Sequence, residues 1–102
     1  MPMQIRIKTT KIDLTPELRE YIQKKADMLE KYLGDVQVLN CDVEVGLVKP
    51  GNHGGKNYRA EINLELPGDL LRVEKVAESL HKAIDKVKDH LARSIKRYKD
   101  KS

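Results

Sequence analysis

Tyr58-Arg59-Ala60-Glu61-Ile62-Asn63-Leu64-Glu65-Leu66-Pro67-Gly68-Asp69-Leu70-Leu71-Arg72-Val73 is the stretch that decides the architecture. Tyr58, Ala60, Ile62, Leu64 and Leu66 alternate with Arg59, Glu61, Asn63 and Glu65, and a period of two means a strand with one apolar face. Pro67-Gly68-Asp69 has the chemistry of a tight turn, so Leu71 and Val73 read as a short returning strand. Such a hairpin needs cover on one side only.

Working upstream, Val36 to Val48 shows the same period. Leu39, Cys41, Val43, Val45 and Leu47 share a face, and Asn40, Asp42 and Glu44 point the other way. Lys49-Pro50-Gly51-Asn52-His53-Gly54-Gly55 is a turn-rich break that predicts a flexible hairpin loop. Near the start, Met3, Ile5 and Ile7 alternate with Gln4, Arg6 and Lys8, a further half-buried strand. Between these strands the spacing becomes helical. Thr15 suits a cap, Pro16 the first turn and Glu17 the positive end of the dipole. Leu18, Ile22, Ala26, Leu29 and Leu33 then predict a helix over about Pro16 to Leu33, stopped by Gly34. Downstream, Val76, Leu80, Ala83, Ile84, Val87, Leu91, Ile95 and Tyr98 trace one apolar stripe of a second helix. The order is β-α-β-β-β-α. This is an α+β fold, a four-stranded mainly antiparallel sheet with two helices packed on one face.

At 102 residues the chain reads as a single domain, 1–102. Charged residues make up 35%, above the ~25% usual in globular chains. Twenty Lys+Arg against sixteen Asp+Glu leave +4, unevenly spread. Residues 75–102 hold nine basic and four acidic residues, whereas residues 36–74 hold four basic and six acidic. Cys41 is the single cysteine, so no internal disulfide forms. No leader pattern opens the chain and no apolar run approaches the ~18 residues of a span. A cytoplasmic protein without a membrane partner is expected.

On a wheel of about 100° per residue, Lys75, Lys82, Lys86, Arg93, Lys96 and Arg97 oppose the apolar stripe. From Arg93 onward five basic residues face a single acid, Asp100. Helix one adds Arg19, Lys24, Lys25 and Lys31 among Glu20, Asp27 and Glu30. Side by side, the helices would flank a common groove able to track a phosphate backbone. The plainer reading is solubility, with Glu78–Lys82 and Asp89–Arg93 as i,i+4 pairs. The outer sheet face mixes Asp42, Glu44, Glu61 and Glu65 with Arg6, Lys8, Arg59 and Arg72. It carries no aromatic residue for base stacking, so recognition is expected through charge and shape.

Enzymatic signals are poor. Gly51 to Lys56 is one residue short of a phosphate loop, has Asn57 in place of Ser/Thr and joins two strands. His53, His81 and His90 have no metal-ligand spacing with Cys41, which reads as core. His81 and Asp85, one turn apart, read as a surface contact. No catalytic residue, metal, cofactor or small-molecule substrate is expected.

Lys11-Ile12-Asp13-Leu14-Thr15-Pro16-Glu17-Leu18-Arg19-Glu20-Tyr21-Ile22, running on to Leu29-Glu30-Lys31-Tyr32, resembles the first-helix signature of ribosome hibernation promoting factors. These are also called ribosome-associated inhibitors, or the sigma-54 modulation family. Tyr58 to Ile62 with Leu66-Pro67-Gly68 resembles their third strand and turn. Ala83-Ile84-Asp85, then Leu91, Arg93 and the basic tail, resembles their second helix. The likeness covers nearly the whole chain, and the element order is similar to that of double-stranded RNA-binding domains.

The resemblance implies a protein that lodges between head and body of the small ribosomal subunit and overlaps the places of mRNA and tRNA. Inhibition would be steric. Its partners would be small-subunit rRNA and the whole ribosome, and off the ribosome a monomer is expected. Arg19, Lys25, Lys31, Arg93 and Arg97 match basic positions that contact rRNA in the family. Lys86 and Lys96 join them on the geometry of the basic face, and His90 stands where a Lys is common. Leu80-His81 replaces a more usual Met/Val-Tyr pair, and the loop at 50–55 is longer than in some relatives. Ending at Ser102, the chain is expected to lack the C-terminal dimerisation domain of long forms. The alternative is a protein-interaction module that modulates transcription, suggested by the mixed-charge sheet face and the family's older name.

Overall fold

The computed structural model describes residues 3–48 and 57–101. The element order is β1 (Arg6–Thr10), α1 (Pro16–Asp27), α2 (Glu30–Leu33), β2 (Asn40–Val48), β3 (Asn57–Leu66), β4 (Asp69–Ala77) and α3 (Leu80–Asp100). The Lys49–Gly55 loop, the phosphate-loop likeness and His53 lie outside the described residues.

The strands form one sheet in the order β1-β2-β3-β4. β1 runs parallel to β2, as strands joined through a helix do, and the other two pairs are antiparallel. The β3–β4 turn forms at Pro67 and Gly68, where Gly68 takes φ +81°, a conformation that a Cβ disfavours. Ile62 faces Val43 on one side and Val73 on the other, so one register carries the apolar face across three strands. α3 lies on β3 and β4, with α1 and α2 alongside it. Ile22, Leu29, Val45, Leu64, Leu66, Val87, Leu91 and Ile95 are sealed between the two layers.

Both long helices start on a side-chain cap. Thr15 Oγ1 accepts from the Leu18 amide at 3.1 Å, and Ser79 Oγ accepts from the Lys82 amide at 3.2 Å. The second cap corrects the reading of the C-terminal stripe. β4 runs nine residues, so Lys75 and Val76 belong to a strand, and Val76 stands 47% exposed on the outer face. Two further boundaries differ. Helix one breaks at Met28-Leu29, where the Leu29 amide reaches back three residues to Ala26. This tighter turn lets Leu29 and Leu33 both stay buried. Leu39, read as part of the inward face, precedes β2 and is 46% exposed.

Candidate nucleic-acid interface

The helix layer's outward surface is built by α3. Ala83, Ile84, Val87, Leu91 and Ile95 turn one side of this helix into the core, which places Lys86, His90, Arg93 and Arg97 along one stripe and Lys96 beside it. Lys86, Arg93, Lys96 and Arg97 are exposed, while His90 is half-buried. Among the described residues none of these four cations meets a carboxylate. The Asp89–Arg93 pair that spacing suggested does not form, because Asp89 pairs with Lys88 at 2.7 Å. Arg93 is left facing water. Glu78 and Lys82 do pair, at 2.6 Å.

His90 is the odd member of the stripe. Its Nδ1 is buried without a partner. Burial, then the charges of Lys75, Arg93 and Arg97, hold its pKa below the ordinary histidine value. Lys75 thus enters the same electrostatic neighbourhood from β4.

α1 and α2 contribute differently. Arg19 is exposed, one turn before Gln23, whose amide donates to the Met3 carbonyl at 2.7 Å. Arg19 therefore lies on the flank toward the N-terminal segment. Lys31 is exposed, with its ammonium 5.2 Å from the Tyr32 ring centroid. Lys25 is drawn into the seam between α1 and α3, where it pairs with Asp85 at 3.2 Å. Tyr21 donates its hydroxyl to the same carboxylate oxygen at 2.6 Å. His81, expected to meet Asp85, instead stacks against Tyr21. The open basic groove expected between the helices is therefore a filled seam. The free cations project from the layer's surface on either side of it.

The seam is electrostatically fixed. Burial pushes Asp85 up, but the Tyr21 hydroxyl and the Lys25 ammonium outweigh it and hold the carboxyl below its usual value. Burial, joined by Asp85, pushes the Tyr21 hydroxyl up to about 12, so it stays a donor.

The outer sheet face is as charged, and its arginines are all paired. Arg6 meets Asp42 at 2.7 Å. Arg59 reaches Glu74 at 2.6 Å, Glu44 at 3.0 Å and Glu61 at 3.1 Å. Arg72 adds a second contact to Glu61 at 3.0 Å. Glu61 is 5% exposed. Burial raises it, but Arg72, Asn63 and Arg59 prevail and hold it below the usual carboxylate range. The hydrogen bonds that Arg59 donates to Glu74 and Glu44 in turn raise its pKa.

A cleft of about 1060 Å³ lies between the N-terminal segment and the connector into β2, lined by Met3, Ile5, Leu33, Val36 and Cys41. Burial, then Asp42, pushes the Cys41 thiol up to about 12, which leaves it protonated and a poor nucleophile. Among the described residues no three His, Cys, Asp or Glu side chains gather as a metal site. Among them, too, no helix is long and apolar enough to cross a membrane.

Known proteins carry the same architecture. The chain is 29% identical over 89 residues to a ribosome hibernation promotion factor of Deinococcus radiodurans, covering 86% of this chain and 44% of that protein. It is 27% identical over 99 residues to a ribosome hibernation promoting factor of Acinetobacter guillouiae, covering 95% and 88%. It spans about half the length of the longer relatives it matches. The crystal structure of the Thermus thermophilus Protein Y N-terminal domain superposes with a TM-score of 0.78 at 32% identity, covering 96% of this chain and 99% of that one. The family model described as sigma 54 modulation protein / S30EA ribosomal protein matches residues 5–102. The chain belongs to that family.

Proposed function

We propose that residues 1–102 act as a single ribosome-binding domain that lodges in idle small subunits near the decoding region. There it blocks mRNA and tRNA sterically, as a cytoplasmic monomer that catalyses no reaction. The observation that carries this reading is the unpaired cation set of the helix layer: Arg19, Lys31, Lys86, Arg93, Lys96 and Arg97. Cations without a carboxylate partner gain most from phosphate, since binding costs them no existing ion pair. His90 and Lys25 contribute from half-covered positions, Lys25 chiefly by fixing the seam. The names of the relatives support the ribosome as the source of that phosphate. The transcription-modulating alternative draws less support, because the arginines of the sheet face on which it rests are already paired with its carboxylates.

Sedimentation with purified small subunits tests the proposal. The chain should pellet with them at low salt, leave them as salt rises, and inhibit translation in vitro. Retention in the supernatant at low salt would sink it, and a nuclease-resistant protein partner in a pull-down would favour the alternative.

A further inference from the structure

The helix layer has what the outer sheet face lacks, an aromatic pair at its surface. Tyr21 of α1 and His81 of α3 stack with ring centroids 4.3 Å apart and planes inclined by 35°. Tyr21 is held from behind. Its hydroxyl donates to Asp85 at 2.6 Å, and the Lys25 ammonium that pairs with Asp85 also lies 5.2 Å from the Tyr21 ring centroid. His81 itself is exposed, in the first turn of α3 after the Ser79 cap. Its ring rests on Tyr21 and stays open to solvent.

We propose that His81, backed by Tyr21, is a stacking platform for an unpaired nucleobase of the RNA that the helix layer contacts. The inference rests on the ribosome-binding reading above and adds a base contact to what is otherwise phosphate binding. Single-stranded RNA is commonly recognised by bases splayed onto aromatic rings. The platform is built before the RNA arrives, since the Asp85–Tyr21–Lys25 linkage spans two helices, so little side-chain freedom remains to be lost. Lys24 of α1 and Lys86 of α3 are exposed on the same layer.

The test compares the full chain with His81→Ala, His81→Leu and His81→Tyr. Affinity for purified small subunits is measured at fixed salt, the rRNA is probed with base-specific reagents, and thermal unfolding is followed. Alanine should weaken binding roughly 5- to 150-fold, the range of one lost base stack. Leucine can pack on Tyr21 without offering an aromatic face, so it should bind like alanine and melt like the unaltered chain. Tyrosine should bind within about 3-fold of the unaltered chain, the scale left when one aromatic ring replaces another. One base should regain reactivity in the alanine and leucine variants while the rest of the footprint persists. Unchanged affinity of the alanine variant, or an equal loss in the tyrosine variant, would overturn the platform and leave the ribosome reading standing. Failure of the unaltered chain to bind small subunits would overturn that reading, and the platform with it.

Discussion

The two faces of this molecule are both rich in charge and differ in what the charges do. On the outer sheet face Arg6, Arg59 and Arg72 are matched to Asp42, Glu44, Glu61 and Glu74 across neighbouring strands. On the helix layer Arg93, Lys96 and Arg97 have no carboxylate partner among the described residues, although Asp89 and Asp100 sit close in sequence. A face that satisfies its own charges gains little from an external anion. A face that leaves them in water gains both Coulomb energy and released counterions. The distinction that marks an interface here is therefore pairing, more than charge density.

The most direct way to break this comparison is to delete the free cations. Arg93/Lys96/Arg97→Ala should lower small-subunit affinity on the order of 100-fold at ~100 mM salt, and should flatten the log-affinity against log-salt slope by about 2–3. Unfolding should stay within about 0.5 kcal/mol per site, because the removed groups are solvent-facing. A variant that kept full affinity would move the interface elsewhere.

The sheet face should give the opposite pattern. Gly46 lets β1 approach β2 closely: a Cβ there would lie 2.7 Å from the Thr10 carbonyl oxygen. Gly46→Ala should cost about 2 kcal/mol of stability as the strands are forced apart. Arg59→Ala removes three ion-pair contacts but leaves Glu61 its Arg72 and Asn63 partners. A fully buried pair broken on one side costs about 3–5 kcal/mol, and the partly exposed Arg59 should cost nearer 1–2. In both variants, urea unfolding should register the loss while affinity for small subunits stays unchanged. An affinity drop in Arg59→Ala at conserved stability would mean that the sheet face also touches RNA.

The architecture was legible because Tyr58 to Leu66 and Ala83 to Tyr98 each hold one period over a long run. The boundaries were not, where one spacing suits two structures. Val76 and Leu80 are four apart, as on a helix, yet Ala77 continues the alternation of Leu71 and Val73, and sheet pairing decided for the strand, which turns Val76 outward. The break at Leu29 depends on packing that no local signal carries. For the site, the basic residues were visible and their pairing was not. Arg59 finds Glu44 across one strand and Glu74 across the other, which requires the register. Asp89 had the spacing for Arg93 and turned to Lys88. The Tyr21–Asp85 bond joins residues 64 apart in sequence, beyond any periodicity.

In the seam the helix layer pairs its charges across two elements, as the sheet does across strands, and this gives the smallest and sharpest test. Tyr21→Phe removes the hydroxyl that donates to Asp85 and leaves the ring. One charge-assisted hydrogen bond at a half-exposed carboxylate is worth about 0.5–1 kcal/mol at neutral pH. Asp85 is held below its usual pKa in the folded chain. Its contribution is therefore present above the ordinary aspartate value near 4 and is lost as pH falls through the folded value. Urea unfolding at pH 7, 5 and 3.5 should show the unaltered chain ahead of Tyr21→Phe at the first two and the gap closing at the third. Glu61 titrates over the same acidic range, but it is common to both proteins and cancels in the difference. A gap independent of pH would mean that Tyr21 stabilises the seam through its ring alone and that Asp85 is held by Lys25.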